Sequence, residues 1–118
     1  MAEKNVINIP LRKVHALEII RGEKKREYRA FNDHWASRLC LFEDPEDRFL
    51  ATDVKFFDEV HFYPYNNKWH LDVAVKDIEW RTVDDDFIKE FGEEVEAEEG
   101  TQVFIIHLGE ILDTNLTA

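Results

Sequence analysis

The segment from Gly22 to Arg29 holds the side chains best suited to ligand chemistry. It reads Gly-Glu-Lys-Lys-Arg-Glu-Tyr-Arg. If it is a strand, Glu27 and Arg29 point the same way, because side chains alternate along a strand. An arginine can hold a phosphate with two parallel hydrogen bonds, and a glutamate can accept hydrogen bonds from an exocyclic amine such as that of cytosine. Lys24, once partly desolvated, could act as a base or a nucleophile. Lys24, Glu27 and Arg29 are therefore candidates for the lining of a ligand cleft.

The same charges also have a purely structural interpretation. Glu27 and Arg29 could form ion pairs with each other or with neighbours on the surface. Each such pair would contribute about 0.2–1 kcal/mol to stability. Residue chemistry alone favours this interpretation, because charged surface residues are common. Lys25 and Arg26 are interpreted in this way, as a solvated basic edge.

Aromatic side chains offer stacking surfaces. Trp35 and Arg38 lie three residues apart on one face of a predicted helix and could stack on a base. Alternatively, Trp35 anchors the core and the aliphatic part of Arg38 passes beside it. Tyr63 and Tyr65, next to a predicted hairpin turn, could form a stacking platform or pair only with each other.

No metal site and no cofactor are expected. The predicted hairpin places His61 opposite Asp72, but two ligands do not make a metal site, and an ordinary cross-strand hydrogen bond is the expected outcome. The single cysteine, Cys40, is interpreted as a buried thiol. The chain has four glycines, and they form no glycine-rich phosphate loop.

The charge is divided unevenly along the 118 residues. The formal net charge of −11 is the balance of +4 over residues 1–39 and −15 over residues 40–118. So acidic a chain repels long polyanions, which argues against broad, non-specific DNA binding. A basic patch within an acidic chain suits a nucleotide, a modified nucleoside or a short RNA element. The acidic part suggests another class of function, a protein-interaction module for a basic partner.

The composition also bears on location. No apolar stretch approaches the roughly 20 residues of a membrane-spanning helix, and the first ten residues lack the pattern of a signal peptide. With one cysteine, no internal disulfide is possible. These features predict a cytoplasmic protein without a membrane partner, and none of them indicates an oligomeric state.

Hydrophobic periodicity predicts a single α+β domain over residues 1–118. Gly22 is expected to end the first helix in the left-handed conformation. A slip in the apolar phase predicts a β-bulge near Lys76. Together the elements predict a small, mostly antiparallel β-barrel with two or three short flanking helices. The predicted elements are strands over 5–9, 24–31, 49–63, 69–75 and 103–108, helices over 11–21 and 34–39, a third helix after a capping box at Thr82–Asp85, a polar loop over 42–48 and a turn at Asn66–Asn67.

Two stretches resemble a known family. PLRKVHALEIIRGEKKREYR is similar to the opening of an ASCH domain, a branch of the PUA-like β-barrels. The signature Gly-x-Lys-x-x-Glu-x-Arg is matched by Gly22, Lys24, Glu27 and Arg29. The closing VFIIHLGEIL resembles the last strand of the family. The resemblance covers most of residues 9–112.

The resemblance implies a cleft beside the motif, lined by Lys24, Glu27 and Arg29, that binds RNA or a nucleotide-like ligand. Trp35, Arg38 and Tyr63, the possible stacking groups, are the further candidate contacts. Some small members of the family hydrolyse an acetylated cytidine, with the motif lysine as nucleophile or base, a threonine, and a glutamate from a later helix. Lys24 occupies the position of that lysine, whereas Glu27 stands where those hydrolases have threonine. Asp86 and Glu90 are candidates for the later acid by region only. Nucleotide or RNA binding is therefore the first expectation, and an amidohydrolase using Lys24 and Glu27 is the alternative.

Overall fold

The structure, a computed structural model, describes residues 3–42, 51–66 and 68–117. It confirms the predicted α+β class, with a curled and mostly antiparallel sheet. None of the helices in the described ranges has both the length and the apolar character needed to cross a bilayer. The elements are β1 (Val6–Pro10), α1 (Lys13–Ile20), β2 (Arg26–Ala30), α2 (Asp33–Leu39), β3 (Cys40–Phe42), β4 (Ala51–Val54), β5 (Glu59–Tyr63), β6 (Leu71–Thr82), α3 (Asp85–Phe91) and β7 (Gln102–Thr114).

The strands form two sheets. The larger has the order β1-β5-β6-β7-β2, and β3 pairs with β4 in the smaller one. β1 runs parallel to β5, whereas β5 and β6 are antiparallel with His61 opposite Asp72. That register confirms the pairing predicted for the hairpin. Asn67 of the predicted turn, and most of the predicted polar loop over 42–48, lie outside the described residues.

The chain divides into two compact units. The first comprises Met1–Glu27, Phe56–Asp77 and Ile106–Ala118, and the second comprises Tyr28–Lys55 and Ile78–Ile105. β6 and β7 each contribute residues to both units. The expectation of one domain stays a prediction.

The first unit buries alternate side chains of its strands. Val60 and Phe62 of β5, together with Leu71 and Val73 of β6, are fully buried. Burial of each such side chain contributes about 1.5–3 kcal/mol relative to leaving it in water. The predicted strand over 49–63 would place Phe56 on the same face as Val60 and Phe62, but Phe56 is 72% exposed. That expectation was wrong because β5 begins only at Glu59, so the alternation does not reach back to residue 56.

The second unit has its own apolar cluster, against which the ring of Tyr28 packs. The cluster consists of Val83, Phe87, Phe91, Val103 and Ile105.

The two later helices begin at polar caps. Asn32 caps α2, with its side chain accepting a hydrogen bond from the Trp35 amide at 2.9 Å. The cap of α3 is Asp84, not the predicted Thr82, because Thr82 still belongs to β6.

Candidate functional site

A tight turn after α1 sets the position of Lys24. Gly22 has a φ of 78°, the left-handed conformation that a side chain would disfavour, as the sequence predicted. The amides of Glu23 and Lys24 both donate to the carbonyl of Glu18, at 2.9 and 3.2 Å, and the Gly22 amide donates to Ile19 at 3.0 Å. These bonds satisfy carbonyls at the end of the helix and fix the backbone from which the Lys24 side chain extends.

Lys24 and Glu27 form an ion pair that is largely withdrawn from solvent. Glu27 is only 5% exposed and is the one charged residue that is buried within the described ranges. Its Oε2 lies 3.7 Å from Lys24 Nζ, at ion-pair rather than hydrogen-bond distance. The Lys24 side chain keeps 20% of its surface exposed, so it is the member of the pair that an incoming molecule can reach.

The burial of Glu27 is costly without compensation. Removing a carboxylate from water costs several kcal/mol, which a nearby cation offsets only in part. By contrast, Arg21 and Glu23 pair in the open at 3.1 Å, where such a contact is worth little. The hydrogen bond to Glu23 raises the pKa of Arg21 above its ordinary value. Of these two neighbouring ion pairs, only Lys24–Glu27 is largely withdrawn from solvent.

Arg29 belongs to the second unit. Its Nη1 donates to the carbonyl of Tyr28 at 2.9 Å, and its guanidinium carbon lies 5.4 Å from the centre of the Trp35 ring. This is cation–π distance. Arg29 also lines a hollow of about 380 Å³, near the lower end of the range for small-molecule sites. Glu96 and Glu98 line the same hollow, and their charge opposes the binding of an anion there.

The remaining predicted site residues have local contacts. Trp35 is buried, whereas Arg38 is exposed and donates to the His34 carbonyl at 2.9 Å. Tyr63, in the first unit, stacks on His61 with ring centres 5.9 Å apart. Lys24 and Glu27 are therefore brought together in the first unit, and Arg29 and Trp35 in the second. A ligand-binding role for any of the six stays a prediction.

The two candidates for the later acid both lie on α3. Glu90 lies 3.5 Å from the Arg81 guanidinium, and Asp86 is exposed in the first turn of the helix. Arg81 also lies over the rings of Phe87 and Phe91, at 6.0 and 5.8 Å. Glu90 therefore helps to hold Arg81 over the apolar side of α3.

The first unit also contains a cluster of metal-ligating types. His70, Asp72 and Asp113 each offer a ligand atom, and these atoms lie within 4.8 Å of one another. His61 is joined to Asp72 at 2.5 Å. The hairpin pattern revealed His61 and Asp72, but not Asp113, whose strand lies beside β6 although it is distant in the sequence.

Comparison of the chain with protein-family models, with curated proteins and with solved structures found no match. A relationship to ASCH domains therefore stays a proposal, based on the resemblance of residues 10–29 and 103–112 to that family.

Proposed function

We propose that this chain is an ASCH-type domain with a PUA-like barrel, and that it binds a nucleotide, a modified nucleoside or a short RNA element through Lys24. The observation that carries the proposal is the buried ion pair between Lys24 and Glu27. A domain gains little stability from such a pair compared with apolar packing, so a role in binding accounts for it better than stability does.

The two side chains have different roles in this proposal. Lys24 is the exposed member, and its ammonium contacts a phosphate or a carbonyl of the ligand. Glu27 is buried and acts as a positioning residue, because its carboxylate holds the ammonium in place through the ion pair at 3.7 Å. The Schellman-type turn at Gly22 fixes the backbone of Lys24, so little conformational entropy remains to be lost on binding.

An amidohydrolase acting on an acylated nucleoside is the second candidate, and Lys24 would be its nucleophile or base. The accessible amine beside a carboxylate favours it. However, an ammonium ion beside a carboxylate has no lone pair with which to attack, and nucleophilic lysines usually lie in apolar pockets or beside another cation. The geometry therefore supports binding more strongly than covalent catalysis.

Titration with cytidine, CMP, N4-acetylcytidine and a short single-stranded RNA, followed by calorimetry, tests the proposal. We expect CMP and the RNA to bind, and Lys24→Met to weaken binding by about tenfold to a hundredfold, the loss of one charge-assisted contact. Lys24→Met should also reduce the salt dependence of RNA binding by about one phosphate contact. Glu27→Gln should weaken binding less, because the ammonium remains.

Lys25→Met and Glu23→Gln are matched controls, since both residues are exposed neighbours of the same type. Equal affinities for the wild type, Lys24→Met and Lys25→Met would refute the proposal, as would a wild type that binds none of the four probes. Release of acetate from N4-acetylcytidine, lost in Lys24→Met, would instead establish the hydrolase.

A further inference from the structure

We propose that His70, Asp72 and Asp113 bind a divalent transition-metal ion of the Zn²⁺ class, with His61 orienting Asp72. This goes beyond the proposed function and does not involve Lys24 or Glu27. The sequence predicted no metal site, because its hairpin pattern brought only His61 and Asp72 together as possible ligands. The structure supplies two further groups, from His70 just before β6 and Asp113 near the end of β7.

The distances are close to those of a metal site. Ligand atoms about 2.1 Å from one tetrahedral ion lie roughly 3.4 Å from one another. Here the three ligand atoms lie within 4.8 Å of one another, and His70 Nε2 is already 2.9 Å from Asp113 Oδ2. Asp113 is 71% exposed, so rotation of its side chain can adjust the spacing without disturbing the core.

The backbone around His70 is fixed by the residues that follow Asp113. The Thr114 hydroxyl donates to the His70 carbonyl at 2.7 Å, and the His70 amide donates to the Asn115 side-chain oxygen at 3.0 Å. The Asn115 amide group also donates to the carbonyl of Lys68 at 3.4 Å. Residues 68–70 and 113–115 are therefore held together, which brings two of the proposed ligands together before an ion binds.

The donor types select a class of metal. One imidazole nitrogen and two carboxylate oxygens suit Zn²⁺ and other divalent first-row metals, whereas Mg²⁺ prefers oxygen ligands alone. Two carboxylates whose oxygens lie this close repel each other, and a divalent ion neutralises both charges. Three protein ligands leave a fourth position for water or another small ligand, the arrangement typical of open zinc sites.

His61 supports the site from outside. Its Nδ1 lies 2.5 Å from Asp72 Oδ1, and its ring lies 6.3 Å from that of His70. Hydrogen bonds to a ligating carboxylate orient it, and their loss usually costs about 10- to 100-fold in metal affinity. His61 is therefore assigned as a positioning residue rather than a ligand.

The test is calorimetric titration of the untagged, metal-free protein with Zn²⁺, accompanied by the visible spectrum of the Co²⁺-loaded protein. We expect one ion per chain. We also expect Asp113→Asn and His70→Asn to lower Zn²⁺ affinity by at least about 100-fold, and His61→Asn by about 10- to 100-fold. The Co²⁺ bands should be lost in Asp113→Asn, and a tenfold excess of Mg²⁺ should not displace Zn²⁺.

Two controls separate this site from incidental binding. His15→Asn removes another histidine paired with a carboxylate, since His15 lies 2.7 Å from Glu18, and Glu110→Gln removes an exposed acid from β7. Neither should change the affinity. The proposal is overturned if the wild type does not bind Zn²⁺, if Asp113→Asn binds as tightly as Glu110→Gln, or if Mg²⁺ competes equally. Asp113 is so exposed that its substitution leaves the fold intact, so a loss of binding reports on the site.

Discussion

Replacement of Lys24 by methionine should destabilise the protein far more than the same replacement one residue later. Lys24→Met keeps most of the side-chain volume but removes the cation beside Glu27. The carboxylate is then left only 5% exposed without that charge. Lys25→Met removes an exposed charge, which usually changes stability by less than about 0.5 kcal/mol.

The magnitude follows from the geometry of the pair. At 3.7 Å and an effective dielectric constant near 20, the attraction is about 4.5 kcal/mol. Breaking a buried pair by removing one partner usually costs about 3–5 kcal/mol. Lys24 retains 20% exposure, which lowers the expected cost to about 3 kcal/mol.

Glu27→Gln should lower the unfolding free energy by about 1 kcal/mol, less than Lys24→Met does. It removes the buried charge and leaves the Lys24 ammonium, which can reach water. The double variant should then be more stable than the sum of the two losses predicts, with a coupling energy of about 1–2 kcal/mol. The asymmetry between the single variants is the specific consequence of the burial seen for Glu27.

Urea unfolding of the wild type, the two single variants, the double variant and Lys25→Met measures these free energies. A cost for Lys24→Met no larger than that for Lys25→Met would refute the reasoning, because the pair would then be solvated. A larger cost for Glu27→Gln than for Lys24→Met would also contradict it.

Two further predictions concern stability. Burial raises the pKa of the Cys40 thiol, so the unfolded chain loses this proton first as pH rises, and the unfolding free energy should fall above the ordinary thiol pKa. Cys40→Ala should abolish this loss of unfolding free energy at alkaline pH, as measured by urea unfolding at several pH values. If the variant loses as much stability at alkaline pH as the wild type does, burial of the thiol is not the cause. Asp84→Ala should lower the unfolding free energy by about 1 kcal/mol, because the Asp84 side chain accepts from the Phe87 amide at 2.8 Å. Asp85→Ala, which removes an exposed acid from the first turn, should cost less, and equal losses would argue against the cap.

Local patterns were enough to predict most elements. Hydrophobic periodicity predicted both α1 and the start of β6. In β6 the alternation reflects the face that the strand buries, through Leu71 and Val73. In α1 it predicted the helix but not its buried face, because the helix buries Ala16 and Ile19 and leaves Val14 57% exposed. Buried Cys40 was also predicted correctly, since a lone thiol usually packs as an apolar residue.

What the patterns missed depends on contacts between distant residues. The parallel pairing of β1 with β5 has no local signature, because it joins strands about fifty residues apart. The meeting of His70 with Asp113 follows from the neighbouring positions of β6 and β7, which periodicity does not specify. The burial of Glu27 was likewise not expected, since the sequence placed it only on one side of a strand.

The sheet order has a consequence for synthesis. β1 and β2 are made first, yet β1 pairs with β5 and β2 lies beside β7. At about 5–20 residues per second, roughly 4–17 s separate the translation of Ala30 from that of Thr114. During this interval β2 is an unpaired strand exposed to other nascent chains, a situation that invites aggregation. We expect the lysine and arginine side chains around β2 to oppose such association by charge repulsion while the chain leaves the ribosome.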